Sequence, residues 1–195
     1  MMDRVRLLGL VTAFSLLATS PALGQRGAAF VGVSGGATLS DLKGGSMDTE
    51  TRWGGTAGVM FGYRTTDATL ISVEANWIQK GGGEVRLDYI EVPLLVGAGF
   101  RTDNGMGVRV YGGIGAAFKI GCSSDSVLLD CDRTQAPEWS IPVGVTFTRL
   151  LASGKFIGLD IRYTAPISDA FETSIAKNRT WVFKVVFGLP IRKGG

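Results

Sequence analysis

The sequence has no histidine, and only two cysteines in 195 residues. Histidine is the commonest general base and a favoured metal ligand, so its absence counts against most hydrolytic and zinc chemistry. No catalytic residue, metal ligand or cofactor is expected. Charge is also scarce, at 19% of residues, with a formal net charge of +3. Asp3, Arg4 and Arg6 together contribute +1, so without them the charge is +2, too little to argue for a nucleic-acid partner. Beyond residue 24 no apolar run approaches the roughly 20 residues that a spanning helix needs.

The first two dozen residues carry the one compact apolar run. A short basic head, Met1 to Arg6, precedes Leu7 to Ala18, and Ser20-Pro21-Ala22-Leu23-Gly24 places small residues where a signal peptidase reads. The expected organisation is a cleaved secretory signal over 1–24 and one domain over 25–195. No cysteine follows the expected cleavage point, which argues against a lipid anchor.

What is abundant is glycine, at 29 residues, and short segments with period-two alternation. Eight such segments run over 28–40, 53–64, 68–79, 85–100, 106–119, 138–150, 155–164 and 179–191, separated by Gly, Asp, Asn, Ser and Thr clusters. One parity is almost free of charge, as in Ile71, Val73, Ala75, Trp77 or Ile157, Leu159, Ile161, Tyr163. The opposite parity is small or polar. The first segment is too glycine-rich to assign, because Phe30 breaks the parity of Val31, Val33, Ala37 and Leu39.

This pattern predicts an all-β fold: an eight-stranded antiparallel up-and-down transmembrane β-barrel in the outer membrane of a Gram-negative type bacterium. Threaded up and down, the tight turns 64–67, 101–105 and 152–154 fall at the periplasmic end, and the long connections 41–52, 120–137 and 165–178 at the outer end. The 80–84 connection is short where a loop is expected. Trp53, Trp77, Trp139, Trp181, Phe118 and Tyr163 then form an outer aromatic girdle, and Tyr63, Phe100 and Phe156 a periplasmic one, since such rings favour the boundary between hydrocarbon and water. A soluble barrel with its apolar face inward is the alternative, but its exterior would be expected to carry many more Lys and Glu.

The lumen of an eight-stranded barrel is just wide enough for its own side chains. Glu74, Glu91, Arg109, Asp160, Arg162 and Lys184 lie on the lumen parity and are expected to form one internal ion-pair network with a structural role. Cys122 and Cys131, nine apart in an exported loop, are expected to form a disulfide. Asp125, Asp130 and Asp132 lie in or beside that loop without the ligand spacing of a calcium loop. The fourth loop carries Phe171 and Ile175 among charges, a surface for lipopolysaccharide or a protein partner.

Trp77-Ile78-Gln79-Lys80-Gly81-Gly82 followed by Leu87-Asp88-Tyr89-Ile90-Glu91-Val92-Pro93-Leu94-Leu95 resembles the PorT-type outer-membrane β-barrel family, as does the glycine-rich first strand ending Leu39-Ser40-Asp41-Leu42. The resemblance implies an eight-stranded barrel inserted by the outer-membrane assembly machinery. Such barrels usually finish on a terminal aromatic, whereas here Phe183, Val185 and Phe187 precede Gly188-Leu189-Pro190-Ile191.

The expected function is non-enzymatic: a monomeric barrel that contacts outer-membrane lipid and lipopolysaccharide and acts in envelope integrity or surface interaction, with an envelope protein as a candidate partner. The alternatives are an accessory barrel of a secretion or assembly complex, a lipid-modifying barrel enzyme and a soluble periplasmic ligand-binding barrel.

Overall fold

Alternation of apolar and polar residues makes a strand two-faced, and eight such strands can hide every backbone donor and acceptor from lipid only by closing on themselves. The computed structural model describes residues 28–44, 47–123, 137–151, 154–168 and 177–191. Its strands are β1 (Ala29–Gly44), β2 (Met47–Asp48), β3 (Arg52–Arg64), β4 (Thr69–Gly82), β5 (Val85–Arg101), β6 (Met106–Ser123), β7 (Glu138–Leu150), β8 (Phe156–Pro166) and β9 (Lys177–Ile191). The two-residue β2 only continues the outer end of β1, pairing Lys43 with Asp48 and Gly44 with Met47. The wall is therefore a closed, eight-stranded, all-antiparallel barrel.

Closure is made by β1 against β9, in register from Ala29 opposite Ile191 to Lys43 opposite Lys177. Gly36 sits in that seam. A Cβ there would run into the carbonyl oxygen of Phe183 and lie 2.8 Å from Cα of Lys184, so the close approach of the two strands needs a residue without a side chain. At the outer end of the seam Arg179 forms a two-pronged ion pair with Asp41, at 3.1 and 3.2 Å.

The faces of β3 to β9 follow the predicted parity, with the apolar set outward. Trp53, Val59, Leu94, Val96, Leu159 and Val185 are exposed, while Thr56, Ser72, Glu74, Thr146, Asp160 and Lys184 on the same wall are buried in the lumen. This is the reverse of a soluble barrel. β1 follows the same rule: Val31 and Val33 face out, and Ser34, Thr38, Ser40 and Leu42 face in.

At the outer end the strands run farther than the alternation predicts, with β1 reaching Gly44, β4 Gly82 and β6 Ser123. The β4–β5 connection narrows to a turn in which Gly83 takes φ 55°, a left-handed conformation that glycine adopts without a Cβ penalty. These extensions persist because their inward side chains pack a core of their own. Leu42, Ile78, Val85, Leu87, Tyr89, Ala117 and Val182 form one buried apolar cluster inside the outer half of the barrel.

Candidate functional site: the lumen and its two ends

The centre of the lumen is held by four charges from three strands. Glu74 of β4 accepts from Arg162 of β8 at 2.8 Å through one carboxylate oxygen and from Lys184 of β9 at 2.9 Å through the other. Asp160 lies 3.6 Å from Arg162 and 3.9 Å from Lys184. Its carboxylate also accepts from the Tyr111 hydroxyl at 2.8 Å and from Thr146 at 2.8 Å. Asn76 donates to Glu74 at 3.0 Å, and Nε of Arg162 donates to the Tyr111 oxygen at 2.9 Å. Two acids thus face two bases, and the neutral sum is what permits such groups to be taken out of water. The Tyr111 ring lies over β7 to reach Asp160 and Arg162 of β8 because residue 144 is glycine; a Cβ there would collide with the ring.

A second cluster lies toward the outer end. Lys80 Nζ lies 2.8 Å from Glu91 and 3.2 Å from Glu138, with all three side chains at most 1% exposed, and 5.4 Å from the centre of the Tyr89 ring. Above it sits the apolar cluster of Leu42, Val85 and Leu87. The outer half of the lumen is therefore occupied first by hydrocarbon and then by paired charge.

The periplasmic half is different. A cavity of about 300 Å³ runs from the turns at Asp67 and Gly154 to the carboxylates of Glu74 and Asp160. Arg64, Arg101 and Arg109 line it, with Phe30, Met60 and Phe156 as apolar wall. Phe30 and Phe156 meet edge to face, ring centres 5.1 Å apart.

The expected single network is thus two clusters. Glu74, Asp160, Arg162 and Lys184 lie together, whereas Glu91 lies with Lys80 and Glu138. Arg109 makes no ion pair among the described residues; it donates to Thr146 at 3.3 Å and lies 5.1 Å from the Tyr111 ring centre. Lys80 escapes a reading of the sequence because it falls in the expected 80–84 connection, and Glu138 because it is the first residue of its segment, although both share the lumen parity of their strands.

The aromatic belts need one correction. Trp53, Trp77, Trp139, Trp181 and Phe118 are exposed on the outward face toward the outer end, and Tyr163 packs beside Trp181 with ring centres 5.0 Å apart. Tyr63 and Phe100 are exposed at the other end. Phe156, expected beside them, turns into the lumen, because it shares the parity of Asp160 and Arg162 rather than of Ile157 and Leu159. Beyond the outer belt the outward face turns polar: Gln79 donates to Asp88, and Arg86 pairs with Asp88 at 3.2 Å. From Trp53 to Tyr63 is ten residues on one strand, which at ~3.3 Å per residue and a tilt near 45° covers about the 25 Å apolar band of an outer-membrane barrel.

Cys122 packs against the outer apolar cluster at the end of β6. Cys131, Asp125, Asp130, Asp132, Phe171 and Ile175 lie outside the described residues, as does the expected signal segment.

The chain matches the family described as outer membrane protein beta-barrel domain over residues 9–188. It belongs to that family. Solved structures similar to this outer-membrane barrel include OprG from Pseudomonas aeruginosa, with 14% identity, 88% of this chain and 100% of that one covered, and a TM-score of 0.57. The N-terminal barrel domain of Pseudomonas aeruginosa OprF gives 13% identity, 83% and 97% coverage, and a TM-score of 0.52. Neisserial surface protein A gives 13% identity, 81% and 95% coverage, and a TM-score of 0.50. At these identities the likeness shows the fold. No curated protein sequence matches the chain.

Proposed function

We propose that this outer-membrane barrel is a non-enzymatic, monomeric protein that acts in envelope integrity or surface interaction through its outer loops. The observation that carries this reading is the filled outer half of the lumen. Leu42, Val85 and Leu87 sit above Lys80, Glu91 and Glu138, all at most 2% exposed. A barrel blocked in this way offers no wide path for solutes, so the loops are left as its contact with the exterior, with lipopolysaccharide and envelope proteins as their partners. In this reading the chain is exported by a cleaved signal over 1–24 in a Gram-negative type bacterium and inserted by the outer-membrane assembly machinery. The motif from Trp77 to Leu95 supports a place among PorT-type barrels. A disulfide between Cys122 and Cys131 would stabilise the third loop by restricting the unfolded chain.

Planar-bilayer recording tests the blocked lumen. The folded protein is expected to give no stepwise current at either polarity, and discrete conductance steps would contradict the reading. The loop role is tested by replacing residues 124–136 with a short Gly-Ser turn. The variant is expected to fold yet fail to restore detergent tolerance to a host lacking the protein. Full restoration would remove that loop from the function, and recovery of the intact protein within a secretion complex would favour the accessory-barrel reading instead.

A further inference from the structure

Within one lumen the structure treats its arginines in two ways. Arg162 is held by Glu74 and Asp160 and by the Tyr111 hydroxyl. Arg64, Arg101 and Arg109 all line the periplasmic cavity, yet among the described residues none of them takes part in an ion pair. Arg64 reaches only the carbonyl oxygen of Asp67, at 3.4 Å, and Arg109 the hydroxyl of Thr146, at 3.3 Å. Arg64 feels the repulsion of Arg101 and Arg109 and, against it, the attraction of Asp67, which also lines the cavity, while Arg109 feels the more distant charges of Asp160 and Glu74. The carboxylates at the inner end of the cavity, Glu74 and Asp160, are engaged by Arg162, Lys184, Tyr111 and Thr146.

Like charges gathered around a partly desolvated space repel one another and lose hydration, which is costly unless an anion enters. A structural arginine in this barrel would be expected to look like Arg162. The guanidinium fork is matched to carboxylate and phosphate oxygens, which it binds through paired, charge-assisted hydrogen bonds. Phe30, Met60 and Phe156 add an apolar wall on the same cavity. Its volume of about 300 Å³ is at the small end of ligand pockets, room for a ring-sized body rather than for a polymer.

We propose that the periplasmic cavity is a binding site for a small soluble anion: a carboxylate or phosphate monoester carried on a compact apolar group, its charge held by Arg101, Arg109 and Arg64 and its body by Phe30, Met60 and Phe156. The cavity is bounded by the lumen wall and the periplasmic turns, so the ligand enters from the periplasm and not from the bilayer. The site stands independently of the role given to the outer loops, which lie at the other end of the barrel.

The test uses the full mature chain folded in nanodiscs of zwitterionic lipid, with calorimetric titration of phenyl phosphate, inorganic phosphate and benzyl alcohol. Phenyl phosphate is expected to bind saturably, inorganic phosphate more weakly, and benzyl alcohol not at all. Arg101→Gln and Arg109→Gln are each expected to weaken phenyl phosphate by about tenfold, or about 1.4 kcal/mol. Arg86→Gln, on the outer hairpin, should leave it unchanged. Arg101 ends a strand beside a turn, so its variant keeps the test open if Arg109→Gln fails to show the boiling-dependent gel mobility of a folded barrel. No saturable binding of phenyl phosphate, or binding untouched by both substitutions, would overturn the site. Loss of phenyl phosphate binding in nanodiscs containing phosphatidylglycerol would overturn the soluble source and assign the cavity to a lipid headgroup.

Discussion

Glu74→Leu is expected to destabilise the folded barrel by about 3–5 kcal/mol, measured as the shift of the urea unfolding midpoint in lipid vesicles. Glu74 is the shared counterion of Arg162 and Lys184, one on each carboxylate oxygen, at 2.8 and 2.9 Å. Its removal leaves the cluster with a net positive charge and two cations side by side on the neighbouring strands β8 and β9. Glu74→Leu combined with Lys184→Leu leaves Asp160 and Arg162 as a neutral pair 3.6 Å apart, still tied through Tyr111. The double variant is therefore expected to be more stable than Glu74→Leu alone. Additive losses would mean that the four charges do not act as a unit.

Lys80→Met is expected to be at least as damaging, with a loss of about 3–5 kcal/mol in the same unfolding measurement. Here one ammonium serves two carboxylates, Glu91 and Glu138, with all three side chains at most 1% exposed. Methionine keeps the length and apolar stem of lysine, so the volume of the buried side chain is largely retained and the change is electrostatic. It leaves two buried anions without a cation. Adding Glu91→Gln and Glu138→Gln, which keep shape and remove charge, is expected to return most of the lost stability. If the triple variant is no better than Lys80→Met, the lysine is needed for packing rather than for charge. The pair of experiments also bears on the blocked lumen, because this cluster and the apolar residues above it close the outer half.

Parity makes the two faces of β3 to β9 legible in the sequence alone, because a side chain in a strand has only two directions and lipid tolerates almost no charge. The same rule, applied strictly, puts Phe156 in the lumen. An aromatic at a strand end reads as girdle by position, but residue 156 is even, like Asp160 and Arg162, and its ring lies against Phe30 inside the barrel. Phe30 is the mirror case: it obscures the face of β1, since an inward aromatic beside the outward Val31 and Val33 looks like a broken pattern.

Depth is not legible in the sequence at all. Which lumen charges meet depends on the stagger between neighbouring strands, and alternation within a strand carries no information on it. Glu91 and Glu74 share a face on adjacent strands, yet Glu91 pairs upward with Lys80 while Glu74 pairs across the lumen with Arg162 and Lys184. Arg109 shares that face too, and the stagger leaves it in the periplasmic cavity without a carboxylate partner among the described residues. The outer extensions are hidden for a related reason. Past the tryptophans the outward face becomes polar, as at Gln79, Arg86 and Asp88, so alternation fades although the ladder continues.

A membrane barrel requires the apolar outer face to meet lipid, with the four tryptophans at one boundary of the bilayer. Depth-dependent quenching of tryptophan fluorescence measures this directly, in vesicles whose acyl chains carry bromine either near the headgroup or near the bilayer centre. Quenching is predicted to be strong for bromine near the headgroup and weak for bromine at the centre. Equal absence of quenching by both lipids, with the protein remaining in the aqueous phase, would contradict a membrane barrel with this face outward.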